Sequence, residues 1–227
     1  MTATIAFSGA RGAIARHMKE SLATAAQLSY FAVADASLLK RARAAWQEQG
    51  VAAGFEDLIL AALCRVLGQF PQFNGVVRDK GAELDDAVRV SVAIALPGGL
   101  MAPALPDLRD MTVADISAAR RDMVDRARRG ALTVAEMKAG TFTISNLGVS
   151  RVDHFTPILN GGQIALLGLG RIADVPAVLA DGRIGAQPQL ALSLTTDHRV
   201  VDGAPSAAFL SALAEAIETD LPLPAAR

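Results

Sequence analysis

The 227-residue chain is poor in cysteine, in aromatic residues and in net charge. Its one cysteine excludes a disulfide framework within the chain, which fits a reducing compartment. The formal net charge of -1 provides no basic excess, so a nucleic-acid-binding protein is not indicated. Aromatic residues make up 4% of the chain and hydrophobic residues 52%, so alanine and the aliphatic residues must supply most of a substantial core.

Long apolar runs are absent as well. No run approaches the roughly 20 residues that span a bilayer. The N-terminal stretch MTATIAFSGARGAIARHMKE lacks the basic start and the long apolar segment of a signal peptide. We therefore expect a cytoplasmic, soluble protein without a membrane partner.

The patterns that are present predict alternating helices and strands. Helices are predicted over residues 10–25, 37–50 with Ser37 as N-cap, 55–70, 112–130 and 204–221. Strands are predicted over residues 27–36 and 87–96, then from Leu100 after a PGGL turn, over 140–148, over 163–179 as two strands, and over 188–197. Because these elements alternate without a compositional break, we expect a single mixed α/β domain over residues 1–227.

The stretch TTDHRVVDG, residues 195–203, places one of only three histidines between two aspartates after an apolar run. A neutral histidine at a strand end can accept a proton from a thiol or hydroxyl. Asp202 could hold the loop or only cap the last helix, and Gly203 could allow a tight turn into it. On spacing alone a structural histidine is the commoner explanation, because His plus Asp is a weak motif.

Other candidate residues also have two interpretations. Ser145, in TISNLG, could be a turn serine that bonds locally or a hydroxyl donor toward developing negative charge. The chain has no G-x-S-x-G elbow and no phosphate-binding glycine loop. His17 and His154 have no carboxylate or cysteine at ligand spacing, so no metal is expected. Cys64 lies in an apolar helical stretch, where we expect it to pack as a small hydrophobic residue.

Three motifs occur in order along the chain: RGAIARHM, GTFTISNLG and DHRVVDG. Together they resemble the catalytic domain of dihydrolipoyl acyltransferases, the core subunits of 2-oxo acid dehydrogenase complexes. The wider superfamily includes chloramphenicol acetyltransferase, which shares the His-x-x-x-Asp-Gly element. FPQFNG, VSVAIALPGGLMAPAL and VDHFTPILN look like further family segments, so the resemblance covers almost the whole chain. It implies a chloramphenicol acetyltransferase-like mixed sheet with helices packed on it.

The resemblance also implies a mechanism. By analogy, His198 is the general base that removes the proton from an acceptor thiol or hydroxyl, which then attacks a thioester carbonyl of acyl-coenzyme A. Ser145 matches the family position whose hydroxyl donates to the tetrahedral oxyanion. Asp202 matches the aspartate that shapes the loop.

Four residues are expected to support this site. The resemblance implies that Asp202 pairs with a basic residue of the first motif, for which Arg11 is the first candidate and Arg16 the second. Asn146 and Gly203 lie within the two catalytic motifs and are expected to support the site. No metal is part of the expected site.

The family builds its active site between the subunits of a trimer, with the histidine from one chain and the serine from its neighbour. The resemblance therefore implies a homotrimer that binds acyl-coenzyme A and an acyl acceptor, with a lipoyl domain or acyl carrier supplied in trans. Pro222 and Pro224 lie in the segment where the family joins its trimers through an apolar tail, so we expect an isolated trimer.

Several departures keep other functions open. The lipoyl and subunit-binding domains of the family have no counterpart in these residues, so the sequence is either an excised domain or a free-standing protein. Gly161 and Gly162 replace the usual Asn-Pro-Pro-Gln run, which predicts a looser loop, and Ala26 and Gln27 replace a frequent Pro-His. These changes favour, as an alternative, an O-acetyltransferase acting on a small-molecule or carrier-bound alcohol, as in tetronate biosynthesis. A non-catalytic scaffold is the third hypothesis, and the presence of both catalytic motifs argues against it.

Overall fold

The two longest strands of the chain form the centre of a five-stranded mixed sheet in the computed structural model, which describes residues 4–96, 99–179 and 181–225. The helices of these residues are α1 (Gly9–Thr24), α2 (Ser37–Glu48), α3 (Phe55–Gln69), α4 (Val113–Arg128), α5 (Val134–Lys138) and α6 (Gly203–Thr219). The strands are β1 (Gln27–Asp35), β2 (Gly75–Arg78), β3 (Gly81–Leu84), β4 (Val90–Val92), β5 (Ile94–Leu96), β6 (Gly99–Met101), β7 (Phe142–Asn146), β8 (Ala165–Val178) and β9 (Ile184–Asp197).

The large sheet has the strand order β1-β9-β8-β7-β4. β7 runs parallel to both β4 and β8, whereas β9 runs antiparallel to β8 and β1. All residues in 165–170 of β8 and 190–197 of β9 are buried. This continuous burial is typical of central strands that are covered on both faces.

The helices cover the sheet and complete the core. α6 packs against β1 and β9, and α2 and α3 pack against α6. Between α6 and the sheet, Phe209 stacks on Phe73 with ring centroids 4.4 Å apart, and Phe142 lies against the same ring. Among the described residues, no helix is long and apolar enough to cross a membrane.

The predicted elements are found with a few differences. Ser37 is the first residue of α2 and not its N-cap, because Asp35 Oδ1 accepts the Ser37 N–H at 2.8 Å and Ala36 occupies the cap position. The predicted strand 87–96 is interrupted at Ala93 and forms β4 and β5. The two strands predicted over 163–179 are one strand, β8, with a register shift between Leu169 and Ile172.

Four short elements were not predicted: the hairpin of β2 and β3, helix α5, and a 3-10 helix at Pro71–Phe73. Two further residues of the predicted PGGL turn, Pro97 and Gly98, lie outside the described residues.

Candidate active site

His198 is the first residue after β9, and its backbone is held from two sides. Its N–H donates to the carbonyl oxygen of Ala26, just before β1, at 2.8 Å. The preceding N–H, of Asp197, donates to the carbonyl of Ile164 at 2.9 Å. The imidazole itself is 43% exposed, so a substrate can reach it.

The residues on either side of His198 form a close ion pair. The carboxylate of Asp197 is 1% exposed and accepts Nε of Arg199 at 2.9 Å and Nη2 at 2.5 Å. It also accepts the backbone N–H of Arg199 at 3.1 Å and that of Ala26 at 3.3 Å. Burial raises the pKa of Asp197, but the hydrogen bonds and the charge of Arg199 outweigh burial, and the net pKa is lowered. The charged pair therefore fixes the turn that carries His198.

The sequence motifs do not predict either member of this pair as a site residue. The signal that could have identified them is an aspartate directly after an apolar strand with an arginine two residues later. At that spacing in a turn, the two side chains can meet around the residue between them.

Asp202 lies beside His198, but the contact is loose. Its Oδ1 is 3.8 Å from Nδ1 of His198, which is longer than a hydrogen bond, and the carboxylate is 84% exposed. Within the described chain, no ion pair or hydrogen bond joins Asp202 to Arg11 or Arg16, which are exposed on α1. The predicted pairing is therefore not made inside one subunit. Gly203 begins α6 without a positive φ, and the turn into the helix lies before it, where the N–H groups of Val200 and Val201 donate to the carbonyl of Asp197.

Ser145 and Asn146 end β7, at the point where the sequence predicted a turn. Asn146 Oδ1 accepts the N–H of Gly148 at 2.8 Å, and Ser150 Oγ donates to the carbonyl of Leu147 at 2.6 Å. These two side chains hold the turn, whereas the Ser145 hydroxyl makes no hydrogen bond with any described residue. A turn serine would use its hydroxyl locally. The free hydroxyl of Ser145 is therefore available to a substrate.

One chain does not bring Ser145 and His198 together. Ser145 pairs with Gly168 of β8, which in turn pairs with Ser193 of β9, five residues before His198. With a rise of about 3.3 Å per residue and about 4.8 Å between neighbouring strands, the two residues are roughly 15–20 Å apart. At this distance, one reacting carbonyl cannot contact both His198 and Ser145 of the same chain.

A cavity of about 670 Å³ lies on the Arg199 side of the His198 turn. This volume is in the range of small-molecule and cofactor sites. Its walls come from α1, from β2 and the residue after it, from the turn before β8, and from Arg199. The lining residues are His17, Glu20, Ser21, Thr24, Val77, Arg78, Asp79, Gly161, Gly162 and Arg199.

The Gly161–Gly162 wall of this cavity is a tight turn. Both glycines have positive φ, 53° and 81°, and Gln163 N–H donates to the carbonyl of Asn160 at 2.9 Å. Val77 N–H also donates to the carbonyl of Gly162 at 2.7 Å. The prediction of a looser loop is therefore wrong, because the two glycines close a hydrogen-bonded turn. Proline, with φ fixed near −65°, could not adopt this backbone.

Cys64 packs against the core, as predicted, and burial raises the pKa of its thiol to about 11. It therefore stays protonated and unreactive. Across residues 4–96, 99–179 and 181–225, no group of three or more His, Cys, Asp and Glu side chains could hold a metal ion.

Nearly the whole chain matches a known protein family. The family model "2-oxoacid dehydrogenases acyltransferase (catalytic domain)" matches residues 1–223. The chain belongs to this acyltransferase family. It is 36% identical over 210 residues to the succinyltransferase component of the Saccharomyces cerevisiae 2-oxoglutarate dehydrogenase complex, with 90% of this chain and 45% of the relative covered. It is also 36% identical over 220 residues to acetyltransferase component 5 of the Arabidopsis thaliana chloroplastic pyruvate dehydrogenase complex, covering 94% of this chain and 46% of the relative. The acyltransferase chain thus spans about half the length of these relatives.

Solved structures of the family agree with this fold. The dihydrolipoamide acetyltransferase of Azotobacter vinelandii superposes with a TM-score of 0.90 at 27% identity, covering 96% of this chain and 92% of that chain. The probable acetyltransferase from Listeria monocytogenes gives a TM-score of 0.87 at 27% identity, covering 96% and 97%. Chloramphenicol acetyltransferase, at 16% identity and a TM-score of 0.58, covers 96% of this chain and all of its own. The predicted chloramphenicol acetyltransferase-like α/β fold is therefore confirmed.

Proposed function

We propose that this acyltransferase chain transfers an acyl group between coenzyme A and the thiol of a dihydrolipoyl group, with His198 as general base and Ser145 as oxyanion donor. The observation that carries the proposal is the His198 turn, which the ion pair of buried Asp197 with Arg199 holds beside a cavity of about 670 Å³. Succinyl- and acetyltransferase relatives acting on dihydrolipoyllysine residues support a thiol acceptor over an alcohol.

The proposed reaction begins with proton removal from the acceptor thiol. Neutral His198 accepts the S–H proton as the sulfur attacks the thioester carbonyl carbon. The carbonyl oxygen becomes an oxyanion, and the Ser145 hydroxyl donates a hydrogen bond to it. When the intermediate collapses, the bond between carbon and the donor sulfur breaks, and the departing sulfur takes the proton back from His198. A new thioester and a free thiol result, so the step needs no other reactant.

A homotrimer is part of this proposal, because Ser145 and His198 are too far apart within one chain. The histidine of one subunit would act with the serine of its neighbour. The A. vinelandii enzyme was studied for the role of a serine, a histidine and an asparagine in its catalytic mechanism. This supports catalytic roles for Ser145 and His198 in the present chain. The similar cubic core of a pyruvate dehydrogenase complex, with a TM-score of 0.90 at 26% identity, supports assembly. The cytoplasmic location expected from the sequence stays a prediction.

The test is a coenzyme A-dependent assay with dihydrolipoamide and, in parallel, a panel of alcohols. Acetyl- and succinyl-coenzyme A are supplied as donors, and thioester formation is measured. We expect transfer to dihydrolipoamide, and a loss of about 100-fold or more in His198→Ala. Asp125→Ala is the control, because Asp125 is an exposed ion-pair residue on α4 outside the site. A folded His198→Ala protein that keeps more than about a tenth of the turnover contradicts the role of the base.

A further inference from the structure

The side chain of Gln27 closes a ring of three hydrogen bonds that joins three parts of the chain. Gln27 Nε2 donates to Oγ of Ser21 on α1 at 3.0 Å, and the Ser21 hydroxyl donates to the carbonyl of Leu159 at 2.7 Å. The Leu159 N–H in turn donates to Oε1 of Gln27 at 3.0 Å. Each donor in the ring has an acceptor, and both the nitrogen and the oxygen of the Gln27 amide are used.

The ring lies below the surface of the fold. Ser21 and Leu159 are buried, and Gln27 is half-buried. Removing one member of such a ring leaves buried polar groups without a hydrogen bond, which costs more than the loss of a bond in water. We therefore treat the ring as a fixed contact between α1, the start of β1 and the segment before β8.

Two walls of the cavity beside the His198 turn meet at this ring. Ser21 lines the cavity from α1, and Leu159 directly precedes the turn at residues 160–163, whose two glycines line it from the other side. The far end of that turn is attached to β2, because Val77 N–H donates to the carbonyl of Gly162. The ring attaches the near end to α1 and β1, and it thereby sets the distance between the two walls.

Gln27 also follows the residue that holds the His198 turn. Ala26 accepts the His198 N–H at 2.8 Å and donates its own N–H to Oδ1 of Asp197 at 3.3 Å. Gln27 itself pairs with Asp197 in the register of β1 and β9. The cavity walls and the proposed base are therefore joined at the start of β1. A reactant bound between these walls is held at a defined distance from His198, as an efficient reaction requires.

The charges around the cavity favour an uncharged substrate over a polyanion. Its two arginines, Arg78 and Arg199, are each already paired with a carboxylate. Glu20 and Asp79 also line the cavity, and neither carboxylate forms an ion pair with any residue that the structure describes. Such carboxylates repel the phosphates of coenzyme A but not an uncharged dihydrolipoyl group. Of the two substrates, the acyl acceptor is therefore better suited to this cavity.

We propose that Gln27 is a positioning residue for the acyl acceptor, which keeps the two cavity walls at the spacing that places the acceptor thiol beside His198. The inference rests on the proposed function for the identity of the acceptor. Without the ring the walls can move apart, whereas the backbone bond from His198 to Ala26 remains. The loss of Gln27 should therefore weaken acceptor binding more than it slows the chemical step.

The test compares Gln27→Ala, Gln27→Met, Ser21→Ala and the Gln27→Ala/Ser21→Ala double variant with the wild-type protein. The substrates are dihydrolipoamide and whichever of acetyl- and succinyl-coenzyme A the wild type uses. We expect Gln27→Ala and Gln27→Met to raise KM for dihydrolipoamide about 10-fold, with kcat and KM for the acyl-coenzyme A within about threefold of wild type. Gln27→Met separates hydrogen bonding from packing, because methionine keeps the length of the side chain without its donor and acceptor.

Two comparisons make the result specific to the ring. The double variant should be no worse than the more affected single variant, because both changes open the same ring. Gln187→Ala is the matched control, since the Gln187 side chain donates to Asp35 at the other end of β1. It should leave both KM values and kcat unchanged.

A second readout is independent of catalysis. Amide hydrogen exchange over residues 156–162 should be faster in Gln27→Met and Ser21→Ala, and unchanged in Gln187→Ala, because the ring that holds Leu159 is open. If Gln27→Ala does not fold, Gln27→Met and Ser21→Ala open the ring with smaller changes of volume.

Three results would overturn the inference: wild-type KM and exchange in folded Gln27→Met, a loss of kcat at unchanged KM, or a rise of KM for the acyl-coenzyme A in place of the acceptor. A wild-type protein that is inactive with dihydrolipoamide overturns the proposed function instead. The exchange data then still decide whether Gln27 holds the cavity wall.

Discussion

Tyr30 has the only buried side-chain polar atom without a hydrogen-bond partner in the part of the chain that the structure describes. Its hydroxyl lies near the start of α6, 3.9 Å from the position that a Cβ atom on Gly203 would occupy. The ring packs against the core. An unpaired buried hydroxyl costs about 1–3 kcal/mol in desolvation. The Tyr30 hydroxyl therefore destabilises the fold at a position close to the His198 turn.

Removing the hydroxyl should therefore not harm the fold. We expect Tyr30→Phe to keep or raise the Tm, by about 2–4 °C for each kcal/mol recovered in a domain of this size. Tyr30→Leu, which also removes ring contacts, should lower the Tm. Thermal unfolding followed by circular dichroism measures both variants. A clear fall of the Tm in Tyr30→Phe would mean that the hydroxyl has a partner in the assembled protein.

The motifs predict His198 and Ser145 as site residues because the chemistry needs particular side chains, and their catalytic roles stay predictions. Arg11 and Arg16 were not found beside Asp202, because a motif says nothing about which helix face meets which loop. Asp197 carries the ion pair instead, and its role depends on burial that only the fold provides.

The contact between α4 and α5 shows how side-chain bonds stabilise a short helix. α5 has five residues, too few to be stable alone. Glu136 Oε2 accepts the N–H of Thr133 at 2.8 Å and its hydroxyl at 2.7 Å, which caps the helix. Oε1 of Glu136 lies 2.6 Å from Nη1 of Arg126 on α4. The bonds from Thr133 and Arg126 lower the pKa of Glu136 from 4.5 to about 2.

This lowered pKa predicts the pH range in which Glu136 stabilises the protein. Because the folded pKa lies below the unfolded one, the contribution is complete above 4.5 and is lost as the pH falls toward about 2. We expect Glu136→Gln to lower the urea midpoint at neutral pH, and the difference from wild type to shrink in acid. Glu83→Gln, an exposed ion-pair variant on β3, should have little effect. A difference that is equally large near pH 2 would contradict this account.

Elements were predictable where their periodic pattern was long. α1, α3, α4 and α6 each extend over at least 15 residues, and their predicted ends are close to the observed ones. α5 and the four-residue strands β2 and β3 are too short for a period to be visible. β8 was divided in two because Arg171 and Asp174 interrupt its apolar run. Its continuity comes from pairing with β9, which is a tertiary effect.

At the scale of the molecule, the row of paired residues that contains Ser145 crosses the sheet and ends at an exposed apolar residue of β1. Phe31 of β1 pairs with Ser193, which lies in the same row as Gly168 and Ser145. Directly paired residues share a face, so this row forms one side of the sheet. Phe31 and its neighbour Val33 are 52% and 51% exposed. An exposed apolar face next to the Ser145 row is suited to packing against a neighbouring subunit.

A different segment bears on assembly beyond a trimer. Trp46 Nε1 donates to the carbonyl of Pro222 at 2.9 Å, and Leu221 is buried. Residues 220–223 therefore lie on α2 and α3 of their own chain. The isolated trimer expected from this part of the sequence stays a prediction.

Mixing two inactive variants tests the shared site directly. We expect His198→Ala and Ser145→Ala to be inactive alone, and to regain activity when they are refolded together. In random trimers half of the sites have an intact histidine and half of those an intact serine, so activity should reach up to about a quarter of wild type. Light scattering of the same samples gives the mass of the assembly. As a control, each variant is refolded alone and then mixed without unfolding, which prevents subunit exchange and should restore nothing. An active monomer, or no recovery in mixed trimers, would contradict a site formed by two chains, whereas a particle larger than a trimer would contradict only the role of residues 220–223.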